Sequence, residues 1–202
     1  MAVLIATSNQ GKLRDFAGAA AVYGITLEGL EDFSSLAEVV EDGATFEENA
    51  RKKAEHYSLF ANGDLVLADD SGLSVDALGG APGVYSARYA AQHNVSGNSE
   101  DKANNAKLLR ELDAVAEPER TARFVCVISA AREGQEVMHF RGEALGVILR
   151  EHRGSMGFGY DSLFYFPSLA KTFAEFTAEE KTLVSHRGLA LQKFLHWARS
   201  RS

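Results

Sequence analysis

Leu65-Val66-Leu67-Ala68-Asp69-Asp70-Ser71-Gly72-Leu73 decides how this chain is read. Large apolar residues rise into an alanine, then two adjacent carboxylates, a hydroxyl and a glycine. Asn62-Gly63 bounds the run on one side and Gly72 on the other, so the pattern predicts a short buried strand with both aspartates at its C-terminal end. Side chains alternate along a strand, so neighbouring aspartates face opposite ways unless the backbone turns, and Gly72 permits a turn. Like charge and burial each raise a carboxyl pKa. A divalent cation or a cationic rim relieves that strain. A turn with two solvated aspartates fits the same residues; the remaining segments favour a site.

Upstream, residues 3–6 (Val-Leu-Ile-Ala) read as a buried strand. Thr7-Ser8-Asn9-Gln10-Gly11-Lys12 follows, then Leu13, Phe16, Ala17 and Ala20 at helical spacing. A strand, a polar turn and a helix start bring backbone N–H groups to one spot, which suits a phosphate. The turn is not a Walker A loop: Ala6 and Leu13 stand where Gly and Ser or Thr are needed. Read alone, it suits a capped helix start with an exposed lysine better than a phosphate site. Residues 26–30 predict a second strand, and 31–42 an acidic irregular segment carrying Glu41. Thr45-Phe46-Glu47-Glu48 predicts a capping box, with Glu48 returning to the cap residue. The helix it opens buries Phe46, Ala50, Ala54 and Tyr57 and runs to near Asn62-Gly63. Asn49 and Lys53, one turn apart, flank its buried face.

Downstream, 73–78 continues the sheet, and Gly79-Gly80-Ala81-Pro82-Gly83 is a tight loop. Residues 93–99 read as a polar, mobile loop. Ala103, Ala106, Leu109 and Leu112 mark the inner face of a helix over 101–113. Strands over 123–131 and 136–149 form a long hairpin about Glu133-Gly134, with bends or bulges at Gly142 and Gly146. In 154–161, Gly154, Gly157 and Gly159 interleave with Phe158 and Tyr160 before Asp161. Glycine permits close approach to a ligand, and an aromatic face offers a platform for a base. A strand over 163–166 follows. Thr177 and Glu180 form a second capping box, and Ser185-His186-Arg187 opens a last helix with Leu189, Phe194, Leu195 and Ala198 inward. The pattern is α/β around a mixed sheet, in a single domain over 1–202.

Composition narrows the classes. The chain has 202 residues, 46% hydrophobic and 24% charged, with net charge −7, an ordinary globular composition. An acidic balance argues against a nucleic-acid partner. No apolar run reaches a membrane span, and the start lacks the basic n-region of a signal peptide. Cys126 has no second cysteine to pair with. A cytoplasmic location is expected.

Carboxylates Glu41, Asp69 and Asp70 beside Lys12, Lys53 and Lys181 fit Mg²⁺ with a polyphosphate, because Mg²⁺ is held by a few carboxylates together with substrate phosphates. Several motifs now match one family in order along nearly the whole chain. They are Thr7-Ser8-Asn9 with Lys12, Thr45 to Ala50 with Lys53-Ala54, Ala68 to Leu73, and Gly79 to Arg88. Gly157 to Asp161, Ala174-Glu175, Lys181 and Ser185-His186-Arg187 complete the set. The chain resembles the inosine/xanthosine triphosphate pyrophosphatases, which hydrolyse non-standard purine nucleoside triphosphates. Ser162 and Thr182 stand where that family commonly has Pro and Asn, and neither exchange removes a charge.

The resemblance implies an elongated two-lobed α/β fold around a long mixed sheet with a central cleft, a homodimer and Mg²⁺ dependence. It implies cleavage between the α- and β-phosphates. Glu41 and Asp70 would hold the metal, and Asp70 would be the general base with Asp69 as helper. Thr7, Ser8, Asn9, Gln10, Gly11, Lys12, Lys53 and Ser71 would hold the triphosphate. Phe158, Gly159, Tyr160, Asp161, Lys181, His186 and Arg187 would hold the base and sugar. Pyrophosphatases for modified pyrimidine or methylated nucleotides, and a nucleotide sensor without turnover, are the rival expectations.

Overall fold

The computed structural model describes residues 3–7, 9–22, 27–30, 33–91 and 98–201. The elements run β1 (Val3–Ile5), α1 (Gln10–Val22), β2 (Glu28–Gly29), α2 (Phe46–Ser58), β3 (Leu65–Val75), α3 (Asp101–Glu111), β4 (Thr121–Arg132), β5 (Gln135–Ile148), β6 (Phe164–Phe166), β7 (Lys171–Thr172), α4 (Ala178–Val184) and α5 (His186–Arg199). The strands form one seven-stranded sheet in the order β2-β1-β3-β4-β5-β6-β7. β1 lies parallel to β2 and β3, whereas β5, β6 and β7 pair antiparallel. The mixed α/β sheet read from the sequence is therefore borne out. No helix among the described residues is long and apolar enough to cross a membrane.

Two compact units share these strands. The first comprises Met1–Asp70, Cys126–Glu143 and Thr182–Ser202. Within it, β3 sorts its side chains by period two. Leu65 and Leu67 enter a core with Ile5, Phe16, Ala20, Phe140, Leu191 and Phe194. Val66 and Ala68 enter another with Ala6, Leu30, Ala54 and Tyr57. Helices α1 and α5 thus serve one face of the sheet and α2 the other. A strand buried on both faces needs the continuous apolar run that the sequence shows. Gly142 explains how α5 reaches β5: a Cβ there would lie 2.1 Å from the His186 carbonyl oxygen and 2.5 Å from Ala190 N. It lies within β5, where the missing side chain permits this close approach of helix to sheet. The β4–β5 turn has positive φ at both Glu133 (50°) and Gly134 (80°), as a tight two-residue hairpin requires.

The second unit comprises Ser71–Val125 and Ala144–Lys181. Phe124, Phe164 and Phe173 form its aromatic centre, with ring centroids 4.7–5.6 Å apart. The fully buried Arg120 guanidinium donates to the carbonyls of Leu112, Ile148 and Leu149, tying the end of the α3 segment to the end of β5. At Gly146, also within β5, a Cβ would meet the Tyr165 carbonyl at 2.5 Å.

Five local expectations need correction. β3 does not end at the aspartates but continues to Val75. Gly72 makes no turn there; a Cβ would lie 2.4 Å from Ser86 Oγ, so glycine is needed for contact. Helix α2 stops at Ser58, and Glu48 accepts from Ala44 N, one residue before the Thr45 cap. The inner face of α3 is Asn104, Asn105 and Leu108, while Ala103 and Ala106 are exposed. The 177–180 capping box forms as read, with both reciprocal bonds present. Residues 93–97 and Thr26 lie outside the described residues.

Candidate active site

In the first unit, the β3 alternation carries on past Ala68. Asp69 shares the α1/α5 face with Leu67, and Asp70 shares the α2 face with Ala68. Each carboxylate meets a lysine from the helix on its own side. Lys12 Nζ lies 2.9 Å from Asp69 Oδ2. Lys53 Nζ lies 3.5 Å from Asp70 Oδ1 and 2.7 Å from Glu41 Oε2, so one ammonium faces two carboxylates.

Local sequence explains each placement. Asn9 caps α1: its Oδ1 accepts from Gly11 N at 2.9 Å and Lys12 N at 3.1 Å, the usual use of Asn at a helix start. Thr7 Oγ1 accepts from Asn9 N. Ser8 and the Gln10 side chain lie outside the described residues. The Thr45 cap, accepting from Glu48 N at 3.2 Å, fixes the start of α2. Asn49 and Lys53 follow on adjacent turns of its inner side. Asn49 is 1% exposed; its Nδ2 donates to Asp70 Oδ2 (3.1 Å) and its Oδ1 accepts from Gly43 N (2.8 Å). It thereby joins the Glu41 loop to Asp70. Sequence reading placed Asn49 beside the buried face and gave it no role. An amide four residues before a lysine, with phenylalanine and alanine as stripe neighbours, was the available signal.

Burial disfavours every charge here, and the neighbours decide the outcome. Burial pushes the Asp69 carboxyl up, but Lys12, Arg187 and Lys53 outweigh it and hold Asp69 below the usual carboxylate range. For Asp70 burial prevails over Lys53 and Lys12, and Glu41 adds repulsion, so its carboxyl stays above that range. Burial works against the Lys53 ammonium, yet Asp70, Glu41 and Asp69 together raise its pKa.

His186 and Arg187 open α5 behind the Ser185 cap, which accepts from Gly188 N. Arg187 Nη1 lies 2.9 Å from Asp15 Oδ2, and the guanidinium acts on Asp69. The structure therefore groups His186 and Arg187 with Lys12 and Asp69 in the first unit, and Asp15 is a partner that sequence reading did not single out.

The second unit holds the other predicted residues. Asp161 Oδ2 accepts from Lys181 Nζ (2.7 Å) and Phe158 N (3.0 Å), so it organises its own loop. Gly157 has φ 81° and a Cβ there would lie 2.1 Å from Asp161 Oδ2; only glycine fits. Lys181 Nζ lies 5.5 Å from the Phe158 ring centre, within cation–π range. Tyr160 is no open platform: it is 4% exposed and its hydroxyl donates to the Ser86 carbonyl at 2.8 Å. Gly159 is held by Asp101 and Asn105, two further residues the sequence did not mark. Ser71, the partly exposed residue after Asp70 in β3, falls at the start of this unit.

Among the described residues no three His, Cys, Asp or Glu converge on one point. Glu41 and Asp70 nevertheless share a cation, the Lys53 ammonium. Two oxygen donors around a place that already stabilises positive charge fit a hard dication whose other ligands are phosphate and water.

The chain is similar to known proteins in sequence and fold. The chain is 49% identical over 193 residues to a dITP/XTP pyrophosphatase of Desulforamulus reducens, covering 96% of this chain and 93% of that one. It is 52% identical over 191 residues to a protein of the same name from Geobacter sulfurreducens, covering 94% and 92%. The Ham1 protein structure from Staphylococcus aureus matches with a TM-score of 0.83 at 39% identity over 100% of both chains. That from Coxiella burnetii matches with 0.84 at 36% identity over 99% of each. Residues 3–197 match the model of the Ham1 family, and the chain belongs to that family.

Proposed function

We propose that this chain hydrolyses non-standard purine nucleoside triphosphates (ITP, dITP and XTP) to the monophosphate and pyrophosphate, with Mg²⁺, as a cytoplasmic homodimer. The observation that carries the reading is the Lys53 ammonium set between Glu41 and Asp70, beside the Lys12 contact to Asp69 on the same strand. The names of the relatives support the substrate class.

Phosphoryl transfer is mostly positioning and charge neutralisation. Lys12 and Lys53 bind the triphosphate, whose oxygens compete with Asp69 and Glu41 for the two ammonium groups. Thr7, Ser8, Asn9, Gln10, Gly11 and Ser71 complete the phosphate contacts. Glu41 and Asp70 would hold Mg²⁺, which offsets phosphate charge and polarises a phosphoryl oxygen. Asp70 takes the proton of the attacking water. Burial keeps its carboxyl more basic than an ordinary aspartate, and Asn49 fixes one of its oxygens. The water oxygen forms the new bond to phosphorus, the bond between the α- and β-phosphates breaks, and pyrophosphate leaves.

Phe158, Gly159, Asp161, Lys181, His186 and Arg187 hold the base and sugar, and Tyr160 anchors the loop. Hypoxanthine and xanthine carry an acceptor oxygen at C6 where adenine carries a donor. A site offering donors there rejects adenine, by up to about 10⁴-fold in sites of this kind. Incubation with Mg²⁺ and ITP, dITP, XTP, GTP or ATP, with monophosphate and pyrophosphate quantified, tests the proposal. Products from the first three and little from ATP are expected. Tight binding without pyrophosphate would replace the enzyme with a sensor.

A further inference from the structure

Helix α3 grips the loop that carries Phe158, Gly159 and Tyr160. The Gly159 N–H donates to Asp101 Oδ2 at 2.6 Å, and the Gly159 carbonyl accepts from Asn105 Nδ2 at 3.0 Å. Asp101 and Asn105 are four apart, so they lie on one face of the helix. One helix face thus holds both polar backbone groups of a single residue. That residue has φ 61°, a region glycine enters without strain and from which its peptide planes reorient easily. The two bonds remove that freedom.

The gripping helix is itself anchored. Asn104 accepts from Ala90 N at 2.7 Å and donates to the Ala87 carbonyl. Lys107 donates to the Tyr89 carbonyl at 2.8 Å, and Arg120 binds the Leu112 carbonyl. Asn105 is 5% exposed, and its Oδ1 has no hydrogen-bond partner among the described residues. A buried amide is costly unless its bonds serve a purpose. The bond that Asn105 does make goes to the loop, so core packing alone does not account for an amide here.

We infer that Asp101 and Asn105 are positioning residues for base selection. By fixing the peptide planes on both sides of Gly159, they set the direction of the Tyr160 N–H, which shares a plane with the Gly159 carbonyl, while the Phe158 and Gly159 N–H groups are engaged by Asp161 and Asp101. The inference rests on the proposed role of residues 158–161 at the base. A donor turned by some tens of degrees no longer meets a C6 oxygen well, since hydrogen bonds weaken steeply with misalignment.

The test uses the full chain with Mg²⁺, and kcat and KM measured separately for dITP and dATP. Asp101 is exposed, so Asp101→Ala leaves the core untouched. Asp101→Ala and Asn105→Ala should each raise the KM for dITP about tenfold and cut the dITP-over-dATP preference similarly, the worth of one good hydrogen bond. Asp101→Asn keeps an acceptor oxygen and should restore the preference. Unchanged KM and preference in Asp101→Ala would overturn the inference, as would an Asn105→Ala loss that is equal for both bases and tracks a lowered melting temperature. If the wild-type chain releases no pyrophosphate from any purine triphosphate, the proposed activity fails and this inference goes with it. If the wild type is active but the variants are indifferent, only the inference fails.

Discussion

Asp69 and Asp70 share a strand, a charge and near-complete burial, yet their surroundings treat them oppositely. Asp69 looks toward α1 and α5, where Lys12 contacts it at 2.9 Å and Arg187 adds its field. Asp70 looks toward α2, where Lys53 stands 3.5 Å away and is shared with Glu41. One carboxylate has a cation largely to itself, and the other must divide one with a rival anion. The first is held ionised as a structural counter-ion; the second retains affinity for a proton or a stronger cation. Adjacent residues acquire different chemistry because period-two alternation delivers them to different helices.

The largest effect that could break this contrast is on turnover. Asp70→Asn should lower kcat about 10³-fold, within the range of a lost general base, while the protein stays folded by circular dichroism. Asp69→Asn should leave kcat within about tenfold of wild type, since a neutral side chain there releases Lys12 without removing the base. A reversal of these two results would exchange the roles.

Stability comes next. Asp69→Asn should cost about 3 kcal/mol at pH 7 in urea unfolding, because it strands Lys12 beside an apolar core. Lys53→Ala should raise the KM for dITP some 10- to 100-fold, on the order of a lost charge-assisted phosphate contact. KM and kcat both unchanged would make Lys53 a structural lysine only. The smallest effect belongs to Asn49→Ala, expected to lower kcat about tenfold through one lost orienting hydrogen bond, with the KM for dITP nearly unchanged. A KM effect with normal kcat would move Asn49 from orienting Asp70 to gripping substrate.

Much of this was legible in residue order, for reasons that also mark the limits. Period-two and period-3.6 apolar patterns found β1, α1, α2 and the β4–β5 hairpin because those elements bury uniform faces. Thr177 and Glu180 found their box because both partners are three residues apart. The continuation of β3 through Asp69 and Asp70 was not legible, because the lysines that make a mid-strand carboxylate pair tolerable come from positions 12 and 53. At the end of helix α3 Leu112 is buried as read, but the pattern set Ala103 and Ala106 inward because Asn104 and Asn105 look like surface residues until their backbone partners at 87, 90 and 159 are known. The same holds for Tyr160, whose hydroxyl is satisfied by residue 86. Polar burial is decided by partners distant in sequence, which a local pattern does not contain.

The sign of the pH dependence tests the opposed settings most directly. Asp69 has a folded pKa below its unfolded value, so its stabilisation is present above about pH 4 and lost as pH falls through the folded value. Asp70 has a raised folded pKa, so the stability linked to its proton is present below about pH 4 and lost as pH rises through the folded value. Melting temperatures of metal-free Asp69→Asn, Asp70→Asn and wild type, followed from pH 7.5 down to pH 3.5, give both signs at once. The deficit of Asp69→Asn should shrink as pH falls, and Asp70→Asn should gain on wild type as pH rises. Two curves that run in the same direction would contradict the account.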